Sequence, residues 1–358
     1  MRFSSCKLEN ISDYSGDIKL SRYSEKGINW KVILFLIVLP ITIFLISFAL
    51  GRFPIAPKDL VKILLSRFFD IEKTWTDYQE TVVFNIRLPR VLVAMLVGAA
   101  LSAAGAAYQG LFKNPLVSGD ILGASAGAGF GACLAISLSL SSAMIQTSAF
   151  IFSIIAVALV YILSLRMKGN QTLGLVLSGI LMGNIFQAGT SFLKYVADTE
   201  NKLPEITFWL LGDLSKVMKG DVLLALIPIT VAIIPLMIVR WKINVMTLGD
   251  EEAQCLGINT KFIRAVVVIC STLLTATAVS VSGMIGWVSL VVPHLARMIV
   301  GPDYKVLLPV STVMGACYLL IVDDLARLVA AVEIPLGILT SLVGAPFFLY
   351  LIMSRKEE

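Results

Sequence analysis

Arg240-Trp-Lys-Ile-Asn-Val-Met-Thr-Leu-Gly-Asp-Glu-Glu-Ala-Gln-Cys-Leu-Gly-Ile-Asn-Thr-Lys-Phe-Ile-Arg264 is a polar island between two apolar runs, 221–239 and 265–282. It is too long for a tight turn and too charged to cross a bilayer. Leu248-Gly249-Asp250 reads as a helix stop followed by a new start, with Gly249 ending one short helix and Asp250 capping the next. Glu251 and Glu252 then occupy a first turn, where negative charge is favoured by the helix dipole. Gly257 closes that second helix. The island is therefore expected to hold two short helices at a sharp angle. Such a knob could pass motion from a soluble partner into the spans on either side; the alternative is a plain solvated loop.

The flanking composition puts those spans in a membrane. Of 358 residues, 57% are hydrophobic and 15% charged, against about 25% charged in an average soluble domain. Mean hydropathy is +0.87. Ten apolar runs of roughly bilayer length cover 30–50, 91–112, 121–138, 144–165, 173–196, 222–239, 265–282, 285–300, 306–328 and 336–353. The fold class is thus an all-α integral membrane protein of about ten transmembrane helices, leaving no room for a separate soluble domain. The runs 121–138 and 285–300 look short and glycine-interrupted. Residues 1–29 read as a polar tail and 354–358 as a short polar end. The tail is not a signal peptide, because its apolar run starts late and lacks a small-residue cleavage site.

An even number of spans puts both termini on one side. With the N-terminus inside, 17 of the 29 Lys and Arg fall on the cytoplasmic side, in line with the positive-inside rule. The chain then lies in the cell membrane with both termini and the 240–264 island cytoplasmic. The net charge of +5 follows from the same rule and calls for no nucleic acid.

Several chemistries lack raw material. Five scattered cysteines and the single His294 form neither a disulfide framework nor a metal site. No Gly-Lys pair exists, so the phosphate-binding GxxxxGK[ST] loop is excluded, and any ATP hydrolysis belongs to another chain. No nucleophile, base and orienting acid stand together, so no catalytic residue is assigned. Small residues crowd 98–110 and 123–132, the pattern that lets membrane helices approach closely.

Taken in order, further segments carry a resemblance. Ile86-Arg-Leu-Pro-Arg90 precedes the Gly/Ala-rich span, which ends in Tyr108-Gln-Gly-Leu-Phe-Lys-Asn-Pro-Leu116. Leu122-Gly-Ala-Ser-Ala-Gly127 follows, then the island's Leu248–Gly257. Later come Gly286-Trp-Val-Ser-Leu-Val-Val-Pro-His-Leu-Ala-Arg297, Asp323-Asp-Leu-Ala-Arg327, Glu333-Ile-Pro-Leu-Gly337 and Gly344-Ala-Pro346. In this order they resemble the permease subunits of the iron-siderophore, haem and vitamin B12 ABC importers, over about residues 30–353.

The resemblance implies a vitamin B12 importer permease-like fold and a set of partners. These are a second permease subunit, most simply a homodimer; two ATPase subunits, which hold the ATP and magnesium while this chain binds no cofactor; an extracytoplasmic substrate-binding protein; and lipid. It also implies roles. The island becomes the ATPase-coupling element through Leu248, Gly249, Glu251, Ala253, Leu256 and Gly257. Asn114 and Thr172 fall at the cytoplasmic gate, although both also read as helix caps. Ser178, Asn184, Gln187 and Thr190 are polar positions in a span that lines the path, where polar groups should face protein or water. Arg87, Arg90 and Arg327 would grip carboxylates of the binding protein, unless they pair instead with Asp323 or Asp324.

The leading function is translocation of an iron-siderophore-type chelate by alternating access, with haem or cobalamin as alternative cargo. An ion-coupled secondary transporter would want intramembrane carboxylates; here Asp323 and Asp324 sit beside Arg327 near a span end. A membrane enzyme would need a reactive constellation that the chain does not show.

Overall fold

Each of the ten apolar runs forms a helix. The computed structural model describes residues 30–51, 55–67, 69, 71–167, 171–330 and 332–354; the polar tail 1–29 and residues 355–358 lie outside this range. Ten helices correspond to the expected spans: α1 (Trp30–Ala49), α4 (Leu88–Leu111), α5 (Ala124–Ser137), α6 (Ser142–Arg166), α7 (Gln171–Val196), α9 (Lys219–Leu248), α11 (Thr260–Ser282), α12 (Val288–Val300), α13 (Tyr304–Leu328) and α14 (Leu336–Ser354). Among the described residues, six are long and apolar enough to cross a membrane: α4 with its preceding turns, α6, α7, α9, α11 and α13.

The centre is built from the helices rich in small residues. Over its most apolar stretch α4 is 78% buried and α11 72%, against 28% for α7 and α9. A bilayer rewards the outward display of large aliphatic side chains, so close backbone packing decides which helices go inside. Gly98 and Gly315 show how close α4 and α13 come. A Cβ on Gly98 would lie 2.2 Å from the Gly315 carbonyl oxygen, and one on Gly315 would lie 2.3 Å from that of Gly98. Beside them Ser102 Oγ donates to the Ser311 carbonyl at 2.7 Å.

The two short helices α5 and α12 begin inside the bundle. The chain before α5 passes the middle of α7, where a Cβ on Gly179 would lie 2.3 Å from the Ile121 carbonyl oxygen. The chain before α12 enters from the opposite end, against Trp209 and Gly212. α5 runs for 14 residues and α12 for 13, each after a stretch of irregular chain packed among the helices.

Three short helices were not anticipated from the sequence: α2 (Pro57–Leu65), α3 (Asp77–Thr81) and α8 (Lys202–Leu211). α3 starts in a reciprocal capping box between Thr76 and Gln79, and a π-helical turn, Val82–Arg87, links it to α4. The signals for α8 were legible, with Pro204 in its first turn and Gly212 just past its end at φ 76°.

Candidate functional site

The island contains one short helix, α10 (Asp250–Cys255), not two. The segment expected as the first is the last part of α9, which runs unbroken for 30 residues past Arg240 and Lys242 to Leu248. A helix leaving the membrane needs no break where its side chains turn polar, because its backbone bonds are already satisfied internally. The break falls at Gly249, as expected. Its φ of 154° suits glycine, and the Glu252 carboxylate folds back over it where a side chain would stand. Gly249 itself takes the N-cap position, so Asp250 is the first residue of α10 and not its cap.

The far end of α10 is a Schellman closure. Gly257 N–H donates to the Gln254 carbonyl and Ile258 N–H to that of Ala253, both at 2.9 Å, with Gly257 at φ 78°. Ile258 and Ala253 are buried beneath, while Asn259 caps α11 through the Phe262 N–H at 3.0 Å. The six residues expected to form the coupling element therefore divide. Gly249 and Ala253 are buried and set the shape; Leu248, Glu251, Leu256 and Gly257 are exposed. Leu248 and Leu256 are 65% and 63% exposed apolar side chains flanking the helix, beside an exposed free thiol at Cys255.

One residue of the island was missed by the sequence reading. Arg264, in the first turns of α11, is only 3% exposed. Its guanidinium donates to Asp250 Oδ2 at 2.6 Å, Gln171 Oε1 at 2.7 Å and Thr172 Oγ1 at 3.5 Å. An arginine at a predicted membrane boundary reads as a snorkelling charge, and nothing local marked it as buried.

Thr172 thus sits in the first turn of α7 and meets Arg264, whereas Asn114 lies elsewhere. Asn114 is exposed in the loop after α4, its Oδ1 accepting the Leu116 N–H at 2.9 Å. It does not cap α5, which starts ten residues later behind Gly123. A second polar knot braces this end: Asn244 of α9 bonds Asp303 at 2.5 Å and the Tyr304 N–H at 2.8 Å, and Arg297 of α12 reaches Gln109 of α4 at 3.0 Å.

The four polar residues of α7 do not share a face. At about 100° per residue, positions 178, 184, 187 and 190 spread around the helix. Ser178 and Thr190 are buried in the chain, Ser178 toward Met167 Sδ at 3.8 Å and Thr190 onto the Phe186 carbonyl at 3.0 Å. Asn184 and Gln187 are exposed, on the same side as Leu177, Ile180 and Leu181. If α7 lines a path, this second face lines it.

At the opposite end, Arg87, Arg90 and Arg327 are 5%, 7% and 7% exposed. Of the two expectations, gripping a binding protein or pairing with Asp323 and Asp324, the pairing is what the chain forms at Arg90 and Arg327. Arg90 grips Asp323 through Nη2 at 2.8 Å and Nε at 3.0 Å, and Glu333 through Nη1 at 2.9 Å. Arg327 pairs with Asp323 at 3.2 Å and with Asp324, and it reaches Ser47 Oγ at 3.1 Å. Arg87 donates to the Phe48 carbonyl at 2.5 Å. The physical reason is the helical repeat: Asp323 and Asp324 stand three or four residues before Arg327, facing the start of α4. Two of the buried guanidiniums, Arg90 and Arg327, thus share the nearest carboxylates, while Arg87 turns to a backbone carbonyl. Beside this cluster a cavity of about 770 Å³ opens between α8 and the ends of α9 and α11, lined by Phe208, Trp209, Glu205, Asp213 and Glu333 among others.

Comparison with known proteins agrees with this architecture. The model of the FecCD transport family matches residues 36–354. The molybdate import system permease protein MolB of Haemophilus influenzae is 37% identical over 327 residues, covering 91% of this chain and 96% of that protein. The Fe(3+)-citrate import system permease protein YfmE of Bacillus subtilis is 37% identical over 338 residues, covering 91% and 96%. A solved structure assigned to the metal-chelate type of ABC transporter, in an inward-facing conformation, superposes with a TM-score of 0.81 at 36% identity, covering 90% of this chain and 99% of that one. A family match that runs from α1 to the end of α14, together with relatives aligned over nine-tenths of the chain, settles the matter: the chain belongs to the FecCD transport family.

Proposed function

We infer that this chain is the membrane permease of an ATP-binding cassette importer and that it carries a metal chelate or a related compact oxo-complex into the cell. The observation that carries the mechanism is α10: a short helix held rigidly between two glycines, with Leu248 and Leu256 exposed on either side. Two exposed leucines flanking a short helix in an otherwise polar island support a protein partner there. The ATPase subunit is assigned to it, and that places the α10 end in the cytoplasm, where nucleotide is. Two permeases facing each other across the exposed side of α7 would form the path, with Asn184 and Gln187 on its wall. Closure of the ATPase pair would rock the attached helices and alternate access between the two ends.

The cargo reading keeps the iron-siderophore class first and widens. Relatives include a molybdate permease as well as a ferric citrate one, so small oxyanion complexes join haem and cobalamin as candidates. The binding-protein dock is assigned to the end opposite α10, on the exposed loops around the 770 Å³ cavity; the three arginines serve there by fixing the helix ends beneath those loops. The test uses the native Cys255. Purified with its ATPase, the chain should cross-link from Cys255 to single cysteines in a groove of that subunit. Absence of cross-links from Cys255 and from cysteines at 251 and 254, in a complex that hydrolyses ATP, removes α10 from the contact.

A further inference from the structure

Arg264 joins elements that otherwise touch little. α10 packs on α9 and α11, whereas α7 packs on α5 and α6. Among the described residues the direct polar bridge between α10 and α7 is one guanidinium, with Asp250 of α10 on Nη2 at 2.6 Å and Gln171 of α7 on Nη1 at 2.7 Å. Reaching both leaves Arg264 Nε fully buried without an acceptor. An arrangement serving only to neutralise the charge would not need the second helix, since Asp250 supplies the countercharge. The planar fork of arginine fixes the relative direction of its two partners, which a lysine ammonium cannot do.

We propose that Arg264 is the positioning residue that transmits displacement of α10 to the start of α7, so that movement of the energising subunit is delivered to the helix carrying Thr172, Asn184 and Gln187. This rests on the assignment of α10 as the ATPase contact. The pair is shielded from salt on the arginine side and half open on the Asp250 side, 3% and 40% exposed. It therefore keeps its strength while remaining able to follow a moving α10.

The experiment uses the full importer, with its ATPase and loaded binding protein, in lipid nanodiscs and in proteoliposomes. Spin labels are placed on Cys255 and on Leu173→Cys, with the other cysteines replaced. With Arg264 intact, and only one labelled permease in each importer, the label pair should hold one narrow distance with and without a non-hydrolysable ATP analogue, because α10 and the start of α7 move together. Arg264→Gln and, separately, Gln171→Leu should broaden that distance. Both should cut cargo moved per ATP hydrolysed by about tenfold, as cutting one link of a packed coupling network does, while the ATPase still copurifies. Gln171→Leu leaves the Arg264–Asp250 pair in place, so it decides the matter if Arg264→Gln does not fold. A narrow distance and an unchanged transport ratio in Gln171→Leu overturn the proposal. Failure of the underlying contact assignment has a separate signature: Cys255 would then react with thiol reagents equally with and without the ATPase bound.

Discussion

Removing Asp323 tests whether the arginines of the end opposite α10 are structural or free to grip a partner. Asp323 is fully buried, accepts from Arg90 at 2.8 Å and is ion-paired with Arg327 at 3.2 Å. Asp323→Ala strands two guanidiniums that are themselves 7% exposed. Breaking a buried pair this way costs about 3–5 kcal/mol. Arg90 keeps Glu333 and Arg327 keeps Asp324 and Ser47, so the low end, about 3 kcal/mol, is expected, or roughly a hundredfold in the folding equilibrium. Replacing both partners, Arg90→Met with Asp323→Leu, should recover part of that loss, because no stranded guanidinium remains at the Arg90 site and Glu333, which loses Arg90, is 29% exposed and can turn to water. The assay is denaturant unfolding in detergent micelles, followed by circular dichroism. A loss below about 1 kcal/mol for Asp323→Ala, the size of an exposed pair, would show the guanidiniums to be wet, and the buried-cluster argument would fall. Slower capture of the binding protein at unchanged stability would return the arginines to a docking role.

Other outcomes follow from the same geometry. Gly257→Trp should strain a residue at φ 78° and fill open space on the contact face, leaving insertion in the membrane intact but uncoupling ATP hydrolysis from uptake in proteoliposomes; Glu251→Arg should act through charge alone, with a salt-dependent loss. Gly98→Val should cost about 1–3 kcal/mol by overpacking against the Gly315 carbonyl 2.2 Å away, read by thermal unfolding in detergent, and Ala at 315 should fail to rescue it. With native cysteines replaced, Asn184→Cys and Gln187→Cys should react with a water-soluble maleimide in the assembled importer, whereas Ser178→Cys and Thr190→Cys should stay protected; equal protection of all four would place the α7 face in a dry interface.

The membrane class, the ten apolar runs and the place of the island could be read from the residues alone, because these rest on local quantities. Bilayer length, hydropathy and the glycines at 249 and 257 act within a few residues of themselves, and their signals survive without knowing any neighbour. The sequence also marked the order of motifs that carries the family. The runs 121–138 and 285–300, short and glycine-interrupted in the sequence, fold as the short helices α5 and α12, since glycine interruption is local too. Tertiary structure decided which polar residues face what. Arg90 lies 233 residues from Asp323 and Arg264 lies 93 from Gln171, so no window of sequence holds either pair. A charge at a helix end looks the same whether it meets water, lipid headgroups or a buried carboxylate. The polar set of α7 split for a related reason: its periodicity shows that the four residues cannot share a face, but only the packing of α5 and α6 against that helix selects the buried one. The end of α9 was misread because polarity ends a span while backbone hydrogen bonds end a helix, and in α9 those two ends are several residues apart.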